Sequence, residues 1–263
     1  MDLGLTNARV LVAASSQGLG RATALQFSRE GARVVVNGRD ADRLAATAQA
    51  ITAETGNEVL ALVGDVSEAA GAVALVEDAA AQLGGLDVLV TNAGGPPPGS
   101  FETTTPDQWE AAFQLTVMST VHMIRAALPH LRESDRAAIL TVTSVSVKEP
   151  IDNLLLSNSL RMSVIGLTKT LAFELGPHGI RVNSILPGWT HTERVEQLMQ
   201  SRAEAADSTV EAMIEQQGAG APLRRIGQPH EFANAAVFLC SPAASYVHGV
   251  MLPVDGGALH ATL

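Results

Sequence analysis

The stretch ARVLVAASSQGLGRATAL, residues 8–25, decides the fold because it joins a short apolar run to a helical pattern through a glycine-containing turn. Gly18 and Gly20 allow the backbone to approach a pyrophosphate, whose charge then lies at the N-terminus of the following helix. Two glycines also occur in ordinary strand-to-helix turns, so the pair alone is weak. Its position between a strand and a helix, at the start of a longer alternation, favours dinucleotide binding.

Seven short apolar runs alternate with long helical stretches along the chain. None of the runs alternates cleanly between apolar and polar residues, which is typical of parallel strands covered on both faces. Such βα units predict one doubly wound α/β domain of the Rossmann type over residues 1–263, with a mostly parallel seven-stranded sheet and helices on both faces. The predicted strands are ARVLVAA, RVVVNG, EVLALVGD, LDVLVTNAG, AAILTVTS, IRVNSILPG and GVMLPVDGG.

One segment, at about residues 189–227, interrupts this alternation with two polar-rich helical patterns, ERVEQLMQ and TVEAMIEQQ. An insertion after the carboxyl end of a strand is where a substrate lid would lie. An ordinary packed helical hairpin explains the same pattern equally well, so both interpretations stay open.

The composition excludes several classes of partner. The 263 residues carry a formal net charge of −10, which argues against nucleic acid or an anionic membrane surface, since either needs a basic patch. No apolar stretch is long enough to span a bilayer. The single cysteine, Cys240, and histidines without metal-ligand spacing predict no disulfide framework and no catalytic metal. We therefore expect a cytoplasmic protein that acts on a small-molecule substrate.

The end of the second predicted strand, VVVNGRD, indicates which dinucleotide binds. An acidic residue at this point would hold the ribose hydroxyls of NAD, but here Gly38 is followed by Arg39. A guanidinium suits a 2′-phosphate, which favours NADP. The alternative is a surface arginine in a loop.

Several motifs, in order and spacing, resemble the short-chain dehydrogenase/reductase family over nearly the whole chain, and most closely its 3-oxoacyl-carrier-protein reductase and glucose-dehydrogenase-like branch. They are AASSQGLG, GDVS, TNAG, TVTS, IRVNSILPGWTHT and PVDGG. The resemblance implies a homotetramer. It also implies that Asp65 contacts the adenine amino group beside Val66, and that Pro187, Gly188 and Thr192 hold the nicotinamide. The remaining implied cofactor residues are Ala14, Ser16, Gly18, Leu19 and Gly20 in the first turn, with Asn92, Ala93 and Gly94 along the adenosine and ribose side.

The catalytic positions depart from the family. Its serine matches Ser144, but the register of GLTKTLAFEL puts Ser157 at the tyrosine position of Tyr-x-x-x-Lys and Arg161 at the lysine position. The family's asparagine position is Thr116. A serine hydroxyl is a poor acid unless a base lies beside it, and an arginine stays protonated and cannot shuttle protons. Arg161 could still stabilise an oxyanion, bind a substrate carboxylate or reach the nicotinamide ribose.

Because neither Ser157 nor Arg161 is a good proton donor, another acid would have to supply the proton. Lys148, in TSVSVKEPIDN, borders the substrate in the family, and an apolar cleft can lower a lysine pKa; a solvated loop lysine is the alternative. Three functions stay open: an atypical NADP(H)-dependent oxidoreductase acting on a carbonyl or alcohol, a non-redox lyase or isomerase that uses Arg161 to hold an anion, and a nucleotide-binding sensor or oligomer partner without turnover.

Overall fold

A computed structural model describes residues 1–261 and contains one seven-stranded sheet in the order β3-β2-β1-β4-β5-β6-β7, with every neighbouring pair parallel. The prediction of a mostly parallel seven-stranded sheet is confirmed. The strands are β1 (Arg9–Val12), β2 (Arg33–Gly38), β3 (Val59–Val63), β4 (Val88–Thr91), β5 (Ala138–Val142), β6 (Arg181–Pro187) and β7 (Met251–Val254).

The helices cover both faces of this sheet, as predicted. They are α1 (Gly18–Arg29), α2 (Ala41–Thr55), α3 (Ala69–Leu83), α4 (Pro106–Phe113), α5 (Ser119–Arg132), α6 (Leu155–Leu175), α7 (Glu193–Ala205), α8 (Val210–Ala219) and α9 (Pro229–Cys240). A π-helical segment, Gln114–Met118, joins α4 to α5.

Burial on both faces explains why the strands read as continuous apolar runs. Val10 and Val12 of β1 pack in one buried cluster with Phe27 of α1 and Phe232 of α9. Leu11, between them, packs in a second cluster on the opposite face, which includes side chains of α3 and α5. Successive strand side chains point to opposite faces, so a strand covered on both sides is apolar along most of its length.

The sheet order reverses between β1 and β4, which lie side by side although β2 and β3 come between them in the chain. Loops that leave the carboxyl ends of these two strands turn in opposite directions and open a crevice, where ligands of doubly wound folds bind. The topology therefore assigns the functional site to the loops after β1 and β4.

The segment 189–227 contains the two predicted helices, α7 and α8, and it has a small core of its own. Val195, Met199 and Ile226 are buried there, and Trp189 packs against them. The guanidinium of Arg202 lies 5.1 Å from the centre of the Trp189 ring, a favourable cation–π distance. The segment is thus an ordered helical hairpin, and its function as a lid stays a prediction.

At the opposite edge of the sheet, a buried carboxylate joins the starts of β1 and β4. Asp87 accepts hydrogen bonds from the Arg9 backbone N–H at 2.8 Å, from the Arg9 guanidinium at 2.5 and 3.1 Å, and from the Ser134 hydroxyl at 2.7 Å. Burial alone would raise the pKa of Asp87, but these hydrogen bonds outweigh it and hold the pKa below its ordinary value.

This pair predicts acid sensitivity of the fold. A carboxyl group whose folded pKa lies below its unfolded value of about 3.9 stabilises the fold fully above that pH, and this stabilisation is lost as the pH falls through the folded pKa. Because Asp87→Asn leaves the Arg9 guanidinium without its anion, we expect the free energy of unfolding at neutral pH to fall by about 3 kcal/mol. Its decline in acid should also become shallower, as measured by urea unfolding between neutral pH and pH about 3.

Asp135→Asn is the matched control, since Asp135 pairs with Arg136 while remaining exposed. An exposed pair contributes less than about 1 kcal/mol. An unchanged acid slope in Asp87→Asn would contradict the assignment.

Candidate active site

A cleft of about 930 Å³ runs along the carboxyl edge of the sheet, across the reversal between β1 and β4. It brings together every predicted cofactor residue and three of the predicted catalytic residues. The first group is Ala14, Ser16, Gly18, Leu19, Gly20, Arg39, Asp65, Val66, Asn92, Ala93, Gly94, Pro187, Gly188 and Thr192, and the second is Ser144, Ser157 and Arg161.

The first turn packs tightly against the start of α1. A β-carbon on Gly20 would lie 2.4 Å from the Ala14 carbonyl oxygen and 2.8 Å from the Ser15 α-carbon, so only glycine fits. Ala14, at the family's first glycine position, has a φ of +45°, which is unfavourable for a residue with a side chain. Gly18 begins α1, so its neighbouring N–H groups and the helix N-terminus face the cleft as a pyrophosphate requires. The residues present fit a dinucleotide.

Asn37, at the end of β2, holds this turn in place. Its side-chain oxygen accepts from the Ala14 N–H at 3.1 Å, while its amide nitrogen donates to the carbonyls of Leu62 at 3.0 Å and Gly64 at 3.1 Å. The side chain therefore joins the loops after β1 and β3. Asn37 was not among the residues predicted from the sequence, although a polar residue after three valines in VVVNG was a signal.

The adenosine end of the cleft carries an ion pair. Arg39 Nη1 lies 3.3 Å from Asp65 Oδ2, and the arginine side chain is 77% exposed. Partial burial raises the pKa of Asp65, but hydrogen bonds from Ser67 and from Arg39 outweigh it and lower the pKa overall. Asp65 is therefore an acceptor throughout the neutral range. Arg43 also lines this end of the cleft and donates to the Gln17 side chain at 2.8 Å. Neither Arg43 nor Gln17 was predicted from the sequence.

At the other end of the cleft, hydrogen bonds link three serines in a chain. Ser144 Oγ accepts from the Ser146 N–H at 3.1 Å, and the hydroxyls of Ser146 and Ser157 lie 3.5 Å apart. Ser146 is buried, and the sequence analysis did not identify it. The tertiary fold thus connects Ser157 to the loop of Ser144 through an additional hydroxyl.

Arg161 lies beside these serines, on α6. Its Nη1 donates to the carbonyls of Val142 at 3.1 Å and Thr143 at 2.9 Å, at the end of β5. Its Nε is buried without a hydrogen-bond partner among the described residues. Burial lowers the pKa of Arg161 to about 10, so the guanidinium remains charged near neutral pH. Residues 1–261 supply no carboxylate within ion-pair distance of it.

Other sequence candidates lie elsewhere. Lys148 follows the short helix after Ser144 but is not among the residues that line the cleft, so its role as a substitute acid stays a prediction. Thr116, at the family's asparagine position, lies in the π-helical segment, and its buried hydroxyl has no partner within the described part of the chain. Among residues 1–261, no three His, Cys, Asp or Glu side chains form a potential metal site.

The sheet order, the glycine turn and the cleft that crosses the reversal define a dinucleotide-binding α/β enzyme scaffold. A family model described as enoyl-(acyl carrier protein) reductase matches residues 13–259. The 7alpha-hydroxysteroid dehydrogenase of Escherichia coli K12 is 33% identical over 258 residues, which are 98% of this chain and 96% of that protein. The chain belongs to the short-chain dehydrogenase/reductase family.

Solved structures agree with this assignment. An L-sorbose reductase from Gluconobacter frateurii, complexed with NADPH and L-sorbose, is 31% identical and superposes with a TM-score of 0.95 over 99% of this chain and 100% of its own. An NADPH-bound short chain oxidoreductase from Pseudomonas aeruginosa PAO1, described as containing an atypical catalytic center, is 33% identical with a TM-score of 0.89 over 98% of this chain and 99% of its own. The finer resemblance to the 3-oxoacyl reductase branch stays a prediction.

The contacts of Asn37 predict that one buried amide controls both stability and cofactor affinity. Asn37→Ala removes the partners of one N–H and two carbonyls, and each orphaned buried group costs about 1–3 kcal/mol. We expect the free energy of unfolding to fall by about 3 kcal/mol and the dissociation constant for NADPH to rise by about tenfold. Denaturant unfolding and a fluorescence titration measure the two effects.

Asn57→Ala is the control, because the Asn57 amide donates to a single carbonyl, of Ser28, at 2.7 Å and lies away from the cleft. It should cost about 1 kcal/mol and leave NADPH affinity unchanged. If both variants changed NADPH affinity equally, the positioning role of Asn37 would be refuted.

Proposed function

We propose that the chain is an NADP(H)-dependent oxidoreductase that reduces a carbonyl compound, or oxidises the corresponding alcohol, without the Tyr-x-x-x-Lys pair of its family. One observation carries the proposal. A single cleft combines all the residues expected to hold the dinucleotide with Ser144, Ser157 and Arg161 at its far end. A protein that only binds a nucleotide has less need of polar groups where the nicotinamide would end.

The proposed orientation of NADP(H) follows the cleft. Gly18, Gly20 and the N-terminus of α1 receive the pyrophosphate. Asp65 accepts from the adenine amino group, and Arg39 leaves Asp65 to pair with the 2′-phosphate, which offers more charge than the carboxylate does. Pro187, Gly188 and Thr192 hold the nicotinamide end. The NADPH-bound relatives support this choice of cofactor.

Bound NADPH supplies a hydride to the carbonyl carbon of the substrate. The protein then has to stabilise the negative charge that develops on the carbonyl oxygen. In our proposal the Ser144 and Ser157 hydroxyls donate hydrogen bonds to this oxygen, and the nearby charge of Arg161 stabilises it. Preorganised donors of this kind contribute about 10²–10³-fold to the rate without transferring a proton themselves.

Proton transfer to the oxygen needs a separate source. Arg161 keeps its proton near neutral pH, and a serine hydroxyl is a poor acid. We propose that water in the cleft delivers the proton. The Ser157 hydroxyl, which lines the cleft, donates its proton to the oxygen and takes one from the water, and the hydroxide left behind is neutralised by solvent. Lys148 is the alternative donor and would have to move into the cleft.

A second candidate, a non-redox lyase or isomerase, is favoured by the missing tyrosine and by the unpaired charge of Arg161. A nucleotide sensor is the third. NADPH oxidation against a panel of ketones, aldehydes and 3-oxoacyl thioesters, beside a binding titration, separates them. Tight NADPH binding without NADPH oxidation by any compound of the panel would refute the oxidoreductase proposal.

Three further features belong to this proposal. The hairpin at residues 189–227 is proposed as the substrate lid, since Thr192, Arg194 and Leu198 line the cleft.

A homotetramer and a cytoplasmic location stay predictions. Light scattering tests the oligomeric state, and cell fractionation tests the location. Within the described residues, the helices are too short or too polar to cross a bilayer.

Cofactor choice gives a specific prediction at Arg39. Arg39→Gln removes a charge-assisted contact to the 2′-phosphate, worth about 1.5–3 kcal/mol, so the dissociation constant for NADPH should rise by about 10- to 100-fold. The constant for NADH should change by less than about threefold, because NADH lacks this phosphate. Calorimetry with both cofactors measures the effect.

Arg29→Gln is the control, because it removes an exposed arginine that pairs with Glu54 outside the cleft. Equal losses for NADPH and NADH in Arg39→Gln would overturn the cofactor assignment.

Charge stabilisation by Arg161 gives a second prediction. Arg161→Gln should lower kcat by about 10²–10³-fold while NADPH affinity changes little. Arg161→Lys keeps a positive charge and should retain more activity, and stopped-flow NADPH oxidation compares the two. Equal activity of Arg161→Gln and the unaltered enzyme would contradict the proposed role.

A further inference from the structure

The far end of the cleft, beyond the residues assigned to the cofactor, is an apolar chamber with a positive charge. Its apolar lining includes Leu115, Ile151, Leu154, Trp189, Val195 and Leu198. Two cations outside the adenosine end, Arg161 and Arg194, also line the cleft. The positive charge of this region contrasts with the chain as a whole, whose formal net charge is −10.

The acids that line the cleft lie at the cofactor end. Asp40 and Asp65 flank the adenosine region, and Asp65 pairs with Arg39. Glu193 faces the glycine turn, since a β-carbon on Gly18 would lie 3.6 Å from its carboxylate. Among the described lining residues, no other carboxylate is available to balance the chamber.

Arg194, in the first turn of α7, reaches across the cleft. Its Nη2 donates to the Pro96 carbonyl at 3.2 Å, and a β-carbon on Gly95 would lie 3.9 Å from the same nitrogen. Arg194 forms no ion pair with a described residue. An arginine has five N–H donors in a fork that matches a carboxylate, and a single carbonyl uses only part of this capacity.

We infer that the substrate is an oxo acid, or the corresponding hydroxy acid, whose carboxylate is bound by Arg194 while Arg161 and the serines face its reacting oxygen. The inference rests on the proposed function and specifies its substrate class. A carboxylate is a stronger acceptor than the neutral Pro96 carbonyl, so it replaces that contact and ties α7 to the bound substrate. Arg194 is thus a specificity-determining residue, and the lid carries it.

Matched acids and esters test the inference. We would measure NADPH oxidation with pyruvate, acetoacetate and levulinate, in which the carboxylate lies progressively further from the ketone, and with their methyl esters. For the best-fitting length, the acid should exceed its ester in kcat/KM by about tenfold, the value of one charge-assisted contact. Arg194→Gln should abolish this preference by slowing the acid and leaving the ester within about twofold.

Arg224→Gln is the matched control. Arg224 belongs to the same 189–227 segment and also donates to one carbonyl, of Ala219, at 2.9 Å, but it does not line the cleft. It should leave the acid-to-ester ratio unchanged. Arg194→Lys, which keeps the charge but loses the fork, should give an intermediate ratio.

A binding readout separates this inference from the proposed function. In a Trp109→Phe background, Trp189 is the remaining tryptophan and reports on the chamber. Levulinate should quench its fluorescence saturably, and Arg194→Gln should remove the quenching. Quenching without NADPH-dependent reduction of any carbonyl compound would refute the proposed function but retain the anion site.

Two results would overturn the inference itself. One is reduction of acids and esters by NADPH at equal rates, with no quenching, which leaves the oxidoreductase proposal intact. The other is a loss of NADPH affinity in Arg194→Gln with an unchanged acid-to-ester ratio, which would assign Arg194 to the cofactor pyrophosphate.

Discussion

The side-chain amide of Asn37 is the interaction on which the rest of the cleft depends. Parallel strands end in separate loops, and a βα repeat does not by itself fix the positions of those loops relative to one another. Asn37 joins the loop after β1 to the loop after β3 through three hydrogen bonds. Because Ala14 is held at positive φ by these contacts, the turn keeps a conformation that its own residue disfavours.

Arg161 shows the opposite relation between function and stability. A guanidinium with a buried, unpartnered Nε destabilises the folded state. The family has a lysine at this position, and the arginine found here has no carboxylate partner among the described residues. Its backbone acceptors at the end of β5 fix the position of the charge, which in the proposed function lies close to the reacting oxygen of the substrate. Such unbalanced groups persist where binding of an anion or a transition state supplies the missing partner.

The charge distribution along the cleft extends this reasoning from one residue to the whole site. The cleft has two regions that differ in charge balance. At the adenosine end Arg39 and Arg43 lie with Asp40 and Asp65, whereas outside that end Arg161 and Arg194 form no ion pair with a described residue. The helix that begins at Glu193 contributes to both, since Glu193 faces the glycine turn and Arg194 contacts Pro96. This polar segment thereby adds charged side chains to the cleft of a scaffold that is shared by many unrelated activities.

Sequence alone determined the fold class, and it predicted the register of Ser157 and Arg161 and the cofactor residues that follow strand ends, because strand period, glycine turns and motif spacing are local properties. The same local logic could not identify Asn37, Ser146, Arg43 or Arg194. Each of them acts through a partner distant in the chain, and only the packing of strands, loops and the α7 hairpin decides which partner that is. Tertiary structure also decided that Lys148 lies outside the cleft lining and that Arg161 lacks an acidic partner among the described residues, since burial and charge balance are properties of the assembled site.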